Sequence, residues 1–288
     1  MKNVTSNRWA RAVLISALVL MVLLAGAVLS ALAITWGEPD TEHENVGAFM
    51  VKLDDDRVVP LCSGTLIHQR LFLTAAHCTA RADELMAEGR VTAVFVNFSL
   101  TLVDTANLPA AEVLTHIEYA DFADPSNPHD VGILVLEDAV EGIAPANLPY
   151  EGFLDELKRD GLLRTGTSQQ KGWADRNGAK FTVVGYGGVL AWPPPDITYE
   201  DERRSAESEY VALVPAQLHM DQNRLHENGG TCFGDSGGPA FWEPDEATSI
   251  LVGITSWGDA QCVVTGFDYR VDIADTLDFI EDTIATLD

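Results

Sequence analysis

Three short stretches of this chain hold the residue types that hydroxyl-based covalent chemistry requires. Ser236 sits in Gly234-Asp235-Ser236-Gly237-Gly238-Pro239. Acyl transfer needs a nucleophile on a tight turn, with backbone N–H groups facing the oxygen that becomes negative. Flanking glycines let the backbone approach a substrate and take conformations closed to other residues. His77 lies in Leu73-Thr74-Ala75-Ala76-His77-Cys78, after an apolar, strand-like run. Asp130 opens Asp130-Val131-Gly132-Ile133-Leu134-Val135-Leu136, an aspartate entering a buried strand. A serine, a histidine and a buried aspartate are the parts of a hydroxyl-activating triad. Singly, each has a plainer reading: a serine between glycines as a turn, a histidine as a structural residue. His129, beside Asp130, lacks the setting of His77 and reads as a polar residue at a strand entrance. His43, His68, His116, His219 and His226 read as surface or structural.

The elements that must position these residues are mostly strands. Beyond residue 33, short apolar or alternating runs are broken by turn residues: Val46–Leu53, Gly64–Ile67, Ala93–Asn97, Val131–Leu136, Phe181–Gly185, Glu209–Leu213 and Ile250–Ser256. Many short strands without interleaved helices favour an antiparallel sandwich or barrel. Two segments read as helix. Phe153–Leu163 is short and charged. The C-terminal stretch sets Ile273, Leu277, Ile280, Ile284 and Leu287 at helical spacing, one apolar stripe to dock on the body. Trp192-Pro193-Pro194-Pro195 and the charged run to Arg204 read as a long exposed loop. No internal repeat is evident.

Taken together and in this order, T-A-A-H-C, the Asp-led strand and G-D-S-G-G-P resemble the trypsin/chymotrypsin-like serine endopeptidases, from about Ile34 to the C-terminus. The resemblance implies an all-β fold of two six-stranded antiparallel barrels, a cleft between them and a C-terminal helix. It implies Ser236 as nucleophile, His77 as general base and Asp130 as the group orienting that base. The N–H groups of Gly234 and Ser236 become the oxyanion hole. Residue spacing alone leaves three pairings open for Cys62, Cys78, Cys232 and Cys262; the resemblance implies Cys62–Cys78 and Cys232–Cys262. Ser256-Trp257-Gly258 resembles the edge on which substrate backbone pairs in an extended conformation. Thr182-Val183-Val184-Gly185-Tyr186-Gly187 resembles the family's Gly-aromatic-Gly strand.

The primary pocket is assigned by the same resemblance. Gly230, six residues before the nucleophile, stands at its base, and Gly258 and Gly266 stand on its walls. Without a charge at Gly230 the pocket should favour apolar side chains. Gly266-Phe267-Asp268-Tyr269 departs from the family's Gly-Val-Tyr, so Asp268, or Asp259 beside Gly258, could intrude and admit a basic residue. Family members become active when an Ile or Val amino group is freed and pairs with the aspartate before the nucleophile. Those residues are Ile34 and Asp235; Trp36 departs from the usual Ile-Val-Gly-Gly opening.

Composition bounds the rest. At 288 residues and 47% apolar, the chain can bury a real core. A net charge of −26 argues against nucleic acid, whose phosphates need a basic surface. A well-solvated surface accounts for that charge, and adaptation to high salt is a sharper hypothesis. Lys2, Arg8 and Arg11 precede an apolar run from Ala12 to Ala33 that ends Ala31-Leu32-Ala33, the pattern of a secretory signal. The run is also long enough for a retained membrane anchor. Residues 1–33 are therefore expected as a signal peptide or anchor. Residues 34–288 are the expected peptidase domain, with the first barrel at about 34–150 and the second, with the helix, at about 173–288. Four cysteines suit an oxidising compartment. No C-x-x-C or C-x-x-H pair is present, so neither metal nor cofactor is expected. Asn97-Phe98-Ser99 fits the glycosylation sequon, a pattern common by chance. The expected partners are protein or peptide substrates, and a membrane only if the apolar start is retained. A protease-shaped binding module and a membrane-tethered interaction protein are the competing classes; an intact triad argues against the first.

Overall fold

The computed structural model describes residues 34–103, 106–166, 178–191 and 196–287, with backbone alone at 189–191 and 196–197. The expected signal or anchor lies outside them. Among the described residues, no helix is long and apolar enough to cross a membrane.

After the short β1 (Glu38–Pro39), six strands close the first barrel: β2 (Val46–Leu53), β3 (Val58–His68), β4 (Leu71–Thr74), β5 (Val91–Asn97), β6 (Leu108–Thr115) and β7 (Gly132–Leu136). They run in the circular order β2-β3-β4-β7-β6-β5, every pairing antiparallel. The hydrophobic core that its strands build includes Phe49, Leu66, Phe72, Ile133 and Leu134, all wholly buried. Every residue of β7 is buried, as the unbroken apolar run after Asp130 requires.

The second barrel uses β8 (Lys180–Gly185), β11 (Arg204–Leu213), β12 (Gln217–Asp221), β13 (Pro239–Asp245), β14 (Thr248–Gly258) and β15 (Thr265–Arg270). Its order is β11-β12-β15-β14-β13-β8, closed by β8 on β11. β1 pairs with Arg204 and Ser205 of β11, ahead of the residues that β12 covers. Between β8 and β11, β9 (Val189–Ala191) and β10 (Asp196–Thr198) form a small hairpin. Two six-stranded antiparallel barrels are thus the architecture that the sequence resemblance implied. Among the described residues, three α-helices complete it: α1 (Ala76–Ala87), α2 (Phe153–Arg159) and the C-terminal α3 (Ala274–Ala285).

Two local expectations change. First, the charged run ending at Arg204 is not all exposed loop. Arg203 and Arg204 are buried. The Arg203 guanidinium donates to the carbonyls of Asp40, Val46 and Phe98, and Arg204 donates to Glu202 and the Gly37 carbonyl. Second, α3 docks chiefly through Thr276, Ile280 and Thr283, while Ile284 of the apolar stripe is exposed. The two threonines can be buried because their hydroxyls donate to the carbonyls of Arg270 and Phe279. Asn97 of the chance sequon is buried, with its amide nitrogen donating to the Val103 carbonyl and Asn107.

His43 proves to be a clamp between the barrels. Its Nδ1 lies 2.6 Å from Asp40 Oδ2 and its Nε2 lies 3.0 Å from Glu243 Oε1 on β13. The ring stacks on Phe241 at 4.9 Å. Burial alone would pull the imidazole pKa down, but the two carboxylates overcome this and carry it up to about 9.

Candidate active site

His77 stands in the first turn of α1, where helix geometry leaves backbone N–H groups without intrahelical partners. Ala75, the N-cap residue, has no side chain to fill that role. The Asp130 carboxylate fills it from across the barrel: His77 N donates to Asp130 Oδ1 at 2.9 Å. The same carboxylate holds the ring, with His77 Nδ1 at 2.9 Å from Oδ2 and 3.1 Å from Oδ1. Ser256 Oγ donates to Oδ2 at 2.5 Å. Asp130 is fully buried, so these donors replace the water it has lost. Gly132 permits the approach of helix to strand. A Cβ there would lie 2.6 Å from Thr79 Oγ1 and 3.0 Å from the Ala75 carbonyl.

Ser236 sits on the turn between Cys232 and β13. Gly234 and Gly237 have φ of +99° and +80°, the left-handed region that residues with a Cβ rarely enter. A Cβ at Gly237 would also collide with Thr74 Oγ1 and the Ser63 carbonyl. The turn is fixed to the first barrel by Ser63, whose N–H donates to the Ser236 carbonyl at 2.9 Å and whose Oγ donates to the Gly234 carbonyl at 3.0 Å. Among the described residues, the N–H groups of Gly234 and Ser236 donate to no protein acceptor. Ser236, Gly234 and His77 line one cavity of about 470 Å³, together with Arg81, Tyr199 and Phe233. No hydrogen bond joins Ser236 Oγ to His77; in unliganded enzymes such bonds are often long and tighten only with substrate. Both disulfides implied by the resemblance are present, Cys62–Cys78 and Cys232–Cys262. The first carries β3 against the start of α1, and the second ties the nucleophile turn to the segment before β15.

With this geometry in view, the family follows. The trypsin family model matches residues 34–280. The chain belongs to the trypsin family. Membership makes it a serine-type endopeptidase, a hydrolase acting on protein substrates. It is 26% identical over 285 residues to the CLIP domain-containing serine protease B15 of Anopheles gambiae, an alignment spanning 89% of this chain and 72% of that protein. It is 28% identical over 207 residues to the inactive CLIP domain-containing serine protease A28 of the same species, covering 69% and 49%. Among solved structures it resembles an HL collagenase at a TM-score of 0.61 and 18% identity, covering 88% of this chain and 99% of the other. That likeness speaks to the fold alone.

The trypsin-family pocket positions are arranged less simply than their residue types suggested. Gly230, Ser256, Trp257, Gly258 and Gly266 are not among the residues lining the cavity at Ser236. Gly258 and Gly266 pair across β14 and β15. Trp257 stacks on Phe267 at 3.8 Å, and Phe267 stacks in turn on His219 at 4.2 Å. The space between Gly230 and Gly266 is occupied by Gln222. A Cβ on Gly230 would lie 2.2 Å from Gln222 Cγ, and one on Gly266 would lie 2.3 Å from its Nε2. Gln222 is buried; its Nε2 donates to Thr231 Oγ1 while its Oε1 has no partner. Nothing in the motifs points to Gln222, which directly follows β12.

The two suspect acids differ. Asp259 accepts from the backbone N–H groups of Gln261, Val263, Val264 and Thr265, which makes it the organiser of its own turn. Asp268 is wholly buried with neither carboxylate oxygen partnered, and burial pushes its pKa up to about 8. Ile34 and Asp235 are not brought into contact by a hydrogen bond or ion pair. Ile34 is buried in the second-barrel core, and Thr35 is held to Gly230 by two backbone bonds of 2.8 and 3.0 Å. Asp235 accepts from the N–H groups of Gly187 and Cys232 at 2.7 and 2.8 Å. Burial pushes its carboxyl up to about 7 against those two donors.

Proposed function

We propose that this chain is a secreted endopeptidase working through an acyl-enzyme on Ser236. The observation that carries the reading is the Asp130 carboxylate, bound at once to the His77 backbone and ring, in a cleft that His77 shares with Ser236. Asp130 fixes the tautomer with the proton on Nδ1, leaving Nε2 to receive the Ser236 proton. Oγ then bonds to the substrate carbonyl carbon, and the carbonyl oxygen takes the electron pair in reach of the Gly234 and Ser236 N–H groups. Collapse breaks the C–N bond as the imidazolium protonates the leaving amine. Water repeats the sequence to release the acid. Ser236→Ala should fold normally and lose nearly all turnover; a variant keeping a tenth of the activity would identify another nucleophile.

For the residue before the scissile bond, an apolar side chain is the preferred reading, supported by the uncharged Gly230 and by Gln222 filling the floor beside it. One observation favours a second reading: the unpartnered Asp268 carboxylate, a buried acceptor that a Lys or Arg side chain could satisfy. A peptide-library cleavage profile separates them.

Residues 34–288 act as the peptidase domain, and the basic, apolar, A-x-A start supports export with cleavage after Ala33. Two disulfides suit that route. Cleavage at Ala33–Ile34 would free an α-amine for Asp235, a buried carboxylate with no cationic partner among the described residues. Mass-spectrometric sequencing of active secreted protein tests this, and a fully active chain beginning upstream of Ile34 would contradict it.

A further inference from the structure

Away from the cleft, four side chains distant in sequence converge on one point. His116 and Glu118 follow β6, His129 lies three residues before β7, and Asp275 is in the first turn of α3. Asp275 Oδ2 lies 2.9 Å from His129 Nδ1, and its Oδ1 lies 3.6 Å from His116 Nε2. Glu118 Oε2 lies 3.6 Å from the same His129 nitrogen. All four donor atoms lie within 4.8 Å of one another. The two imidazoles stack at 5.3 Å with their planes 9° apart. Among the described residues, neither Glu118 nor Asp275 has a Lys or Arg partner.

We propose that His116, Glu118, His129 and Asp275 form a Zn²⁺ site. Two imidazole nitrogens and two carboxylate oxygens are a donor set suited to zinc; calcium and magnesium favour oxygen alone. A divalent ion bound by two neutral imidazoles and two carboxylates leaves the cluster without net charge. Bond lengths of about 2.0–2.2 Å place tetrahedral ligand atoms about 3.4 Å apart, so the cluster must contract around the ion. Glu118 is largely exposed and is free to make that movement. Ligation through His116 Nε2 puts the proton on Nδ1, so the 3.2 Å contact from the Glu118 N–H opens. The outer shell is already in place: Tyr269 OH, fully buried, donates to Asp275 Oδ2 at 2.5 Å and lies 3.0 Å from Asn127 Oδ1.

Zinc here would fasten the 116–129 segment to α3. That segment carries Phe122, whose ring lies 5.8 Å from the His77 ring, and it ends one residue before Asp130. The ion therefore braces a wall of the cleft without touching reacting atoms.

Calorimetric titration of metal-free full-length chain with ZnCl₂ tests the proposal, with thermal melts in parallel. One equivalent should bind saturably and raise the melting temperature, and Co²⁺ should give the visible absorption of a four-coordinate site. Glu118→Gln, at an exposed position where folding is not at risk, should weaken zinc about tenfold or more, and His116→Gln should do the same. Absence of saturable binding would overturn the proposal. So would unchanged affinity in both variants, binding lost only in His77→Ala, or stabilisation by CaCl₂ and not by ZnCl₂.

Discussion

On the first-barrel side of the cleft, Asp130 is buried among a backbone N–H, an imidazole N–H and the Ser256 hydroxyl. On the second-barrel side, Gln222 Oε1, Asn228 Oδ1, Thr255 Oγ1 and both oxygens of Asp268 are buried without a partner. An unmet buried polar group costs about 1–3 kcal/mol, and the first barrel carries its own at Asn45 Oδ1 and Thr65 Oγ1, so the contrast is local to Asp130. The contrast follows the division of labour. The group that orients the base needs one fixed geometry, and full hydrogen bonding supplies it. Under the proposed function Gly230 and Gly266 border the substrate pocket, and Gln222 Oε1, beside both, is an unmet group that an arriving side chain could satisfy.

The sharpest way to break the comparison is at its satisfied end. Asp130→Asn should keep the fold but present the wrong hydrogen-bonding pattern to His77 Nδ1. A loss of about 10⁴ in kcat is expected, the size seen for this change in the Ser-His-Asp template. Steady-state kinetics with a peptide ester checks it, and a loss of only a few fold would remove Asp130 from its assigned role. At the unsatisfied end, Gln222→Ala should open the space between Gly230 and Gly266. Relative kcat/KM should move by about tenfold towards larger side chains, while hydrolysis of small ones changes little. An unaltered profile would show that Gln222 does not bound the pocket.

Asp268 gives the comparison a pH dependence. Its pKa of about 8 lies above the usual unfolded value of about 3.9, so the folded state holds a proton that the unfolded state releases. Stability should therefore fall as pH rises from about 4 to about 8. Asp268→Asn should melt progressively higher than wild type across that window, and parallel curves would contradict the assignment. The inter-barrel clamp provides the smallest effect and the same sense, since His43 too holds its proton more tightly in the folded state. His43 is carried up to about 9 from an unfolded value of about 6.5. Its contribution is complete below about 6.5 and fades as pH climbs towards 9. His43→Gln should cost most in melting temperature at pH 6 and least above pH 9.

The serine, histidine and aspartate motifs are legible because each lies in a short, self-contained run of sequence, whereas the disulfide pairing comes only with the family resemblance, since spacing leaves three pairings open. Helix α1 is not legible. Its cap is the Asp130 carboxylate, supplied from the segment just ahead of β7, and no Ser, Thr, Asp or Asn at Ala75 announces it. The docking face of α3 is legible in part: Ile280 is buried and Ile273 and Leu287 pack on the core, but Thr276 and Thr283 are polar by type and buried in fact, with their hydroxyls satisfied by carbonyls. Gln222 and the cluster around Asp275 were invisible for a related reason. Their partners come from separate strands and loops, and only the closed barrels bring them together. Local motifs show the reacting groups, whereas pocket floors and cross-links depend on tertiary placement.

In the proposed mechanism His77 and Asp130 activate Ser236. Covalent labelling by an organophosphorus reagent, read by peptide mass spectrometry, tests it most directly. The folded, processed chain should take up one adduct, on the peptide containing Ser236, and His77→Ala should react far more slowly. An adduct at a different residue, or none on folded protein, would contradict the assignment.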